Sequence, residues 1–271
     1  MPHGLKSLWH AYVKPAARLD KDGSVLSYAF AGAGGLITSW VLPFHQATFM
    51  KLYSYCLRYD DGAAPNPFWG ICTLVVCKPK IRHSVNKGDW IVGLGSANSP
   101  IGDVSDCIVY AMKVTEKMIM REYDEYCRTS FQSKIPQWRN RNDYRLRVGD
   151  CIYDYSEGEP PRIRWSVHDE RNRKRDLGGE YAVLSNHFFY FGDQPVKLPG
   201  DLTLIIHSTQ GHKSNANQTY LDEFIRWIES FESNKLYGEP QLKLELDPEE
   251  EVRSKCAGRD LEDDENDELS D

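Results

Sequence analysis

Four short constellations along the chain carry residue types that could do chemistry. Arg58 and Asp60 precede Asn66-Pro67-Phe68-Trp69. An arginine and a carboxamide read the edges of a base, and an aromatic ring stacks on its face. Lys87-Gly88-Asp89-Trp90-Ile91-Val92-Gly93, followed by Gly95-Ser96, is a Gly-Asp turn entering an apolar strand. Gly93 and Gly95 leave room there for a ligand or a second backbone. In Ser185-Asn186-His187-Phe188-Phe189-Tyr190-Phe191-Gly192, strand alternation puts Asn186, Phe188 and Tyr190 on one face. His187, Phe189 and Phe191 fall on the other. Gln210-Gly211-His212-Lys213-Ser214-Asn215 lies just before the best amphipathic helix, where free N–H groups favour an anion such as phosphate. Each constellation also has an ordinary structural reading: a surface ion pair, a bulged turn, an aromatic core, simple helix capping.

For acid–base catalysis the candidates are His187 and His212, because an imidazole titrates near working pH. Asp60 or Asp89 would orient it. Cys72 with either histidine would make a nucleophile–base pair, but no local motif supports one. The seven cysteines are odd in number, and the closest pair, Cys72 and Cys77, has four residues between them. That is not a zinc-knuckle spacing, and the set reads as reduced thiols of a reducing cytoplasm. The sequence shows no GxGxxG, Walker loop, HExxH or two-His-one-carboxylate pattern, so neither a cofactor nor a metal is expected. Arg139, Arg141, Arg145 and Arg147 form one basic stretch. Residues 162–176 hold seven basic side chains, counting His168, beside Trp165. Both stretches either grip a phosphate backbone or are solvated loops.

The elements that position these groups are short. Apolar runs at 52–59, 71–77, 90–95, 107–115, 181–184, 187–191 and 202–207 read as strands, with a short helix or turn at 81–85. Residues 118–128 have helical spacing and many charges, which suggests a surface helix. Residues 218–231 form the clearest helix, with Leu221, Phe224, Ile225, Ile228 and Phe231 in one stripe.

Composition limits the class. The chain has 271 residues, 41% hydrophobic and 27% charged, with 15 Tyr and 7 Trp. This excludes a wholly disordered chain, a collagen and a coiled coil. The net charge of −7 is uneven, since residues 239–271 hold 14 acidic against 4 basic residues. The middle of the chain is near neutral, and 239–271 reads as an acidic disordered tail. The apolar run at 28–44 sits at the short edge of a membrane span. Ser, Thr and Gly interrupt it and Asp20 and Asp22 flank it, so a membrane is not expected. Met50-Lys51-Leu52-Tyr53 would make a natural start, which leaves 1–49 as an accessory or misassigned extension.

Several blocks together resemble the nucleotide modification associated domain family, type 2. They are Tyr53-Ser54-Tyr55, Arg58-Tyr59-Asp60, Ala64-Pro65-Asn66-Pro67-Phe68, Cys72-Thr73-Leu74, Cys77-Lys78-Pro79-Lys80-Ile81-Arg82 and Gly88-Asp89-Trp90-Ile91-Val92-Gly93 with Gly95-Ser96. Ser185–Gly192 and Gln210–Ser214 extend the likeness, which runs from about Met50 to Tyr237. The resemblance implies a bacterial or phage protein acting in nucleic-acid base modification, in the cytoplasm. A fainter likeness to PUA-like folds implies an α+β domain built on a small mixed β-barrel, with peripheral helices and a C-terminal amphipathic helix. The expected domain is 50–238. Its expected function is to bind a nucleotide or a modified base in nucleic acid. Phe68, Trp90 or Tyr190 would stack on the base. Asn66, Thr73 and Asn186 would bond its edge, with Arg58, Ser96 and Ser214 lining the site. Lys78, Arg82, His212 and Lys213 would meet phosphate. Two competing readings remain open. One is an enzyme of the same pathway, which would work beside other base-modification enzymes. The other is a protein interaction module whose acidic tail recruits a basic partner.

Overall fold

The computed structural model describes residues 16–19, 25–29, 50–207 and 211–242. The chain divides into two compact units, 1–48 and 49–271. Within the first, β1 (Ala16–Leu19) and β2 (Val25–Ala29) pair antiparallel. Most of the apolar run at 28–44, Gln210 and residues 243–271 lie outside the described residues.

The second unit is mixed α+β. Its strands begin with β3 (Leu52–Cys56) and β4 (Cys72–Leu74), followed by helix α1 (Pro79–Ser84). Next come β5 (Trp90–Leu94), β6 (Cys107–Lys113), β7 (Glu116–Ile119) and helix α2 (Met120–Ser130). A short helix α3 (Tyr144–Arg147) leads to the small hairpin β8 (Tyr153–Asp154) and β9 (Arg162–Ile163). Helix α4 (Arg173–Gly178), β10 (Tyr181–Ser185), β11 (Phe188–Tyr190), β12 (Val196–Lys197), helix α5 (Leu221–Ile228) and β13 (Lys235–Leu236) complete it.

One sheet runs β13-β11-β6-β5-β3, with β12 also on β6; the other runs β4-β10-β7. The expected closed barrel is not formed among the described residues: the larger sheet ends at β3 and β13, the smaller at β4 and β7. Two connections tie the sheets together. Strand β6 leads through Val114-Thr115 into β7, and β10 leads through Asn186-His187 into β11.

Strand alternation builds the cores. Tyr53, Tyr55, Ile91, Met112, Phe188 and Tyr190 of the larger sheet join Cys72, Leu74 and Val183 of the smaller in one cluster. The alternate residues Leu52, Trp90, Val92, Ala111, Phe189 and Phe191 pack instead with Leu221, Phe224 and Ile228 of α5. Val75 and Val76, just past β4, join Ala182 and Leu184 of β10 in meeting Met120, Tyr123 and Cys127 of α2. Full burial of each large apolar side chain contributes about 1.5–3 kcal/mol.

Three elements differ from the sequence reading. Residues 200–205 form a 3-10 turn rather than a strand, because Leu202 and Ile205, three apart, are both fully buried. Residues 116–119, read partly as helix, pair with β10 as a strand. The α5 stripe is led in by a 3-10 turn over Asn215–Tyr220, so the α-helix is shorter than its apolar pattern. Beyond 238 the chain stays in the fold as far as 242. Gln241 accepts from Ser99 Oγ at 2.6 Å and donates to the Gly192 carbonyl at 3.0 Å, and the Leu242 amide donates to the Asp60 carbonyl at 2.9 Å.

Candidate active site

Buried Val75-Val76 carry the chain from β4 to Cys77, where the backbone turns into α1. Cys77 and Lys78 are both left-handed, with φ of 57° and 42°. Non-glycine residues seldom adopt this conformation, at about 1–3 kcal/mol each, unless their surroundings hold them there. Pro79 then opens α1, fixing its own φ where the helix needs it. Cys77 therefore stands half-buried on a sharp strand-to-helix turn, a placement that lifts a side chain out of a sheet.

Two segments distant in sequence meet it. His168 Nε2 lies 3.6 Å from Cys77 Sγ, and His168 Nδ1 is 2.6 Å from Asp176 Oδ2. Asp176, at the centre of α4, is fully buried and His168 is 2% exposed. The Tyr153 hydroxyl donates to Asp176 Oδ2 at 3.0 Å, and the Cys77 amide donates to Asp176 Oδ1 at 2.9 Å. One carboxylate thus orients the imidazole and pins the turn that carries the thiol. Arg82, also fully buried, braces the arrangement by donating to the carbonyls of Cys77 at 2.8 Å, Tyr181 at 2.7 Å and Asp176. Its guanidinium passes so close to Gly179 that a β-carbon there would lie 2.4 Å from it.

Charge follows from this geometry. Burial works against a charged His168, but Asp176 and Cys77 outweigh it and raise His168 to about 10. Burial would likewise raise Asp176, yet His168, Arg82 and Arg175 hold it below the usual carboxylate range. The carboxylate and sulfur on its two sides thus favour the protonated ring, whose Nε2 faces Cys77 Sγ. A neighbouring cation of this kind favours the thiolate, the nucleophilic form. The three side chains also lie near enough together to suggest a metal site. Asp176 occupies the Nδ1 side of the ring while Cys77 faces Nε2. A cation shared by all three would have to break the 2.6 Å hydrogen bond between ring and carboxylate.

A second buried network lies on the same small sheet. Lys134 is fully buried, and its Nζ donates to Asn66 O, Asn66 Oδ1, Ile71 O and Thr73 Oγ1 at 2.7–3.0 Å. The Thr73 hydroxyl in turn donates a hydrogen bond to Asp150, which also accepts from Tyr123 at 2.7 Å. Burial lowers Lys134 and raises Asp150, and each opposes the shift of the other.

The residues picked from the sequence fall into separate groupings. Lys78 and Arg82 stand beside the Cys77 turn, with Lys78 Nζ 4.7 Å from the Tyr55 ring centre. Asn66 and Thr73 belong to the Lys134 network. Asp60 and Tyr190 are bonded to each other at 2.6 Å, both fully buried. Phe68 is 2% exposed, and Trp90 is fully buried against Phe189, Phe224 and His187. Ser96 caps its own turn by accepting the Asn98 amide at 3.1 Å. Arg58 lies over Tyr59 and Asn186 is exposed at the β10–β11 connection. His187 pairs with Glu229 at 2.7 Å and the His212 ring lies 5.7 Å from that of Tyr53. Lys213 donates to the Leu204 carbonyl at 2.5 Å, and buried Ser214 opens the 3-10 turn before α5. Burial pushes the Cys72 thiol up to about 12, so the sulfur suited to nucleophilic work is Cys77. Sequence reasoning missed His168 and Asp176, which lie 91 and 99 residues beyond Cys77 with no joining motif. The available signal was the Cys-Lys-Pro step at the end of an apolar strand.

The mixed α+β domain thus brings a thiol, an imidazole and a carboxylate together in series. The model of the family nucleotide modification associated domain 2 matches residues 49–247, and the chain belongs to that family. No curated protein and no solved structure matches it. Among the described residues no helix is long and apolar enough to cross a membrane.

Proposed function

We propose that the chain is a thiol enzyme of a nucleotide-modification pathway, with Cys77 as nucleophile, His168 as acid–base group and Asp176 as the residue that orients it. The Cys77–His168–Asp176 series is the observation that carries this reading. The thiolate adds to an sp2 carbon of acyl, amide or amidine type, forming an S–C bond. His168 Nε2 gives its proton to the departing nitrogen or oxygen as the bond to carbon breaks. The neutral imidazole then takes a proton from water or an amine as that group attacks, and sulfur leaves as thiolate. Lys78 and Lys80 beside the turn, and exposed Lys174 on α4, suit an anionic substrate. Base recognition by Asn66, Phe68, Thr73, Trp90 or Tyr190 would require these buried side chains to open, so recognition falls to exposed groups.

The test needs no known substrate. Iodoacetamide labelling of Cys77, mapped by mass spectrometry across pH, should be fast well below pH ~8.5, where an ordinary thiol is protonated. His168→Gln should restore the ordinary profile. An ordinary profile in the native chain would remove Cys77 as an activated nucleophile.

A further inference from the structure

A cleft of about 820 Å³ opens between the loop at 136–140 and the β9 strand with its continuation to Trp165. Its size is that of a small-ligand site. Trp165 is 49% exposed, and the Arg139 guanidinium lies 5.8 Å from its ring centre. Arg162 and Arg164 also line the cleft, with Asp154 between them. Arg164 is fixed by Asp124 at 2.7 Å and by Asp154 at 3.2 Å. Arg162 is held by Asp154 at 3.0 Å and by Glu157 at 3.4 Å. Arg139 is exposed and forms no ion pair among the described residues. The lining thus combines a half-open indole face, a cation available to move, and an excess of arginine over carboxylate.

We infer that this cleft binds the base and phosphate of a nucleotide, with the base stacked on Trp165 and the phosphate met by Arg139. Every base has a π-face, so stacking on an indole suits bases generally, and a planar guanidinium pairs with phosphate oxygens in two-point fashion. Two residues lining the cleft are tied to the catalytic series. Trp165 precedes His168 by three residues through buried Ser166 and Val167, and Asp154 follows Tyr153, whose hydroxyl holds Asp176. The cleft rests on the thiol-enzyme reading for its role as the substrate subsite, but binding there needs no thiol.

The test is fluorescence anisotropy of a labelled single-stranded oligothymidylate with the full chain, competed by thymidine 5′-monophosphate and by duplex of equal length. The native chain and Cys77→Ser should bind alike. Trp165→Ala should weaken binding at least about tenfold and Trp165→Phe should largely restore it. Arg139→Gln should weaken binding and flatten its dependence on salt. Competition by the mononucleotide assigns the site to free nucleotides; competition by the strand alone assigns it to single-stranded nucleic acid. No binding to either, preference for duplex, or unchanged binding in Trp165→Ala overturns the inference. Binding that persists in Cys77→Ser while native Cys77 shows an ordinary thiol profile keeps the cleft and removes the enzyme reading.

Discussion

Asp60 is a carboxylic acid in the wrong medium. Burial raises it to about 7, against the pull of the Tyr190 hydroxyl and the Gly62 amide. The folded protein therefore holds this proton more tightly than the unfolded chain does. Its contribution to stability is full below about pH 4, falls as pH rises, and is gone above about pH 7. Asp60→Asn keeps an acceptor for Tyr190 and removes this loss. Denaturant unfolding across pH should show the variant gaining on the native protein by up to about 4 kcal/mol between those limits. Equal pH profiles would mean that Asp60 is ionised in the fold. Lys134 poses the opposite case, a buried amine whose burial works against its charge while Asp150 favours it, and whose Nζ donates to four acceptors. Lys134→Met leaves those acceptors and Asp150 uncompensated, and unfolding midpoints should reveal a cost of about 3–5 kcal/mol. Chemistry of this kind was poorly legible in the sequence. Asn66 and Thr73 stood out as base readers, yet a lysine more than sixty residues away takes up both. Nothing local to Pro-Phe-Trp or Cys-Thr-Leu announces that partner.

At the scale of elements, the sheet was readable and the turns were not. Trp90–Leu94 and Cys107–Lys113 declare themselves by unbroken apolar runs, and Phe188 to Phe191 by alternation between two cores. The short apolar run at 202–205 fits strand or 3-10 turn equally well until its buried spacing is seen. The α1–α4 seam is the element-level device of the site. Arg82 from α1 reaches across Gly179, at the end of α4, and no side chain fits there. Gly179→Ala should push Arg82 from its carbonyls, lower stability by about 1–3 kcal/mol and slow Cys77 labelling. Unaltered labelling in a destabilised variant would show that Arg82 supports the fold without shaping the turn.

For the molecule as a whole, the charge count was legible but its use was not. A near-neutral middle hides arginines gathered around Trp165, and the excess of acidic residues lies beyond it, at 239–271. The start of that stretch is structural. Pro240 sits against Gly62, and Gln241 and Leu242 tie the Asp60 turn to the strand ends. A chain ended after Tyr237 should melt lower than one ended after Leu242. Equal melting of the two would make the contacts at 240–242 energetically idle.

Because β11 sends Phe188 and Tyr190 into one core and Phe189 into another, its meaning lies in parity rather than in the identity of any residue. A single inserted residue between Ser185 and Phe188 would swap the two sets at once. Natural variation in this family should then tolerate exchanges of one aromatic for another here while refusing changes of length. The turn between β8 and β9, with Ser156, Glu157 and Glu159 exposed, is free to grow or shrink.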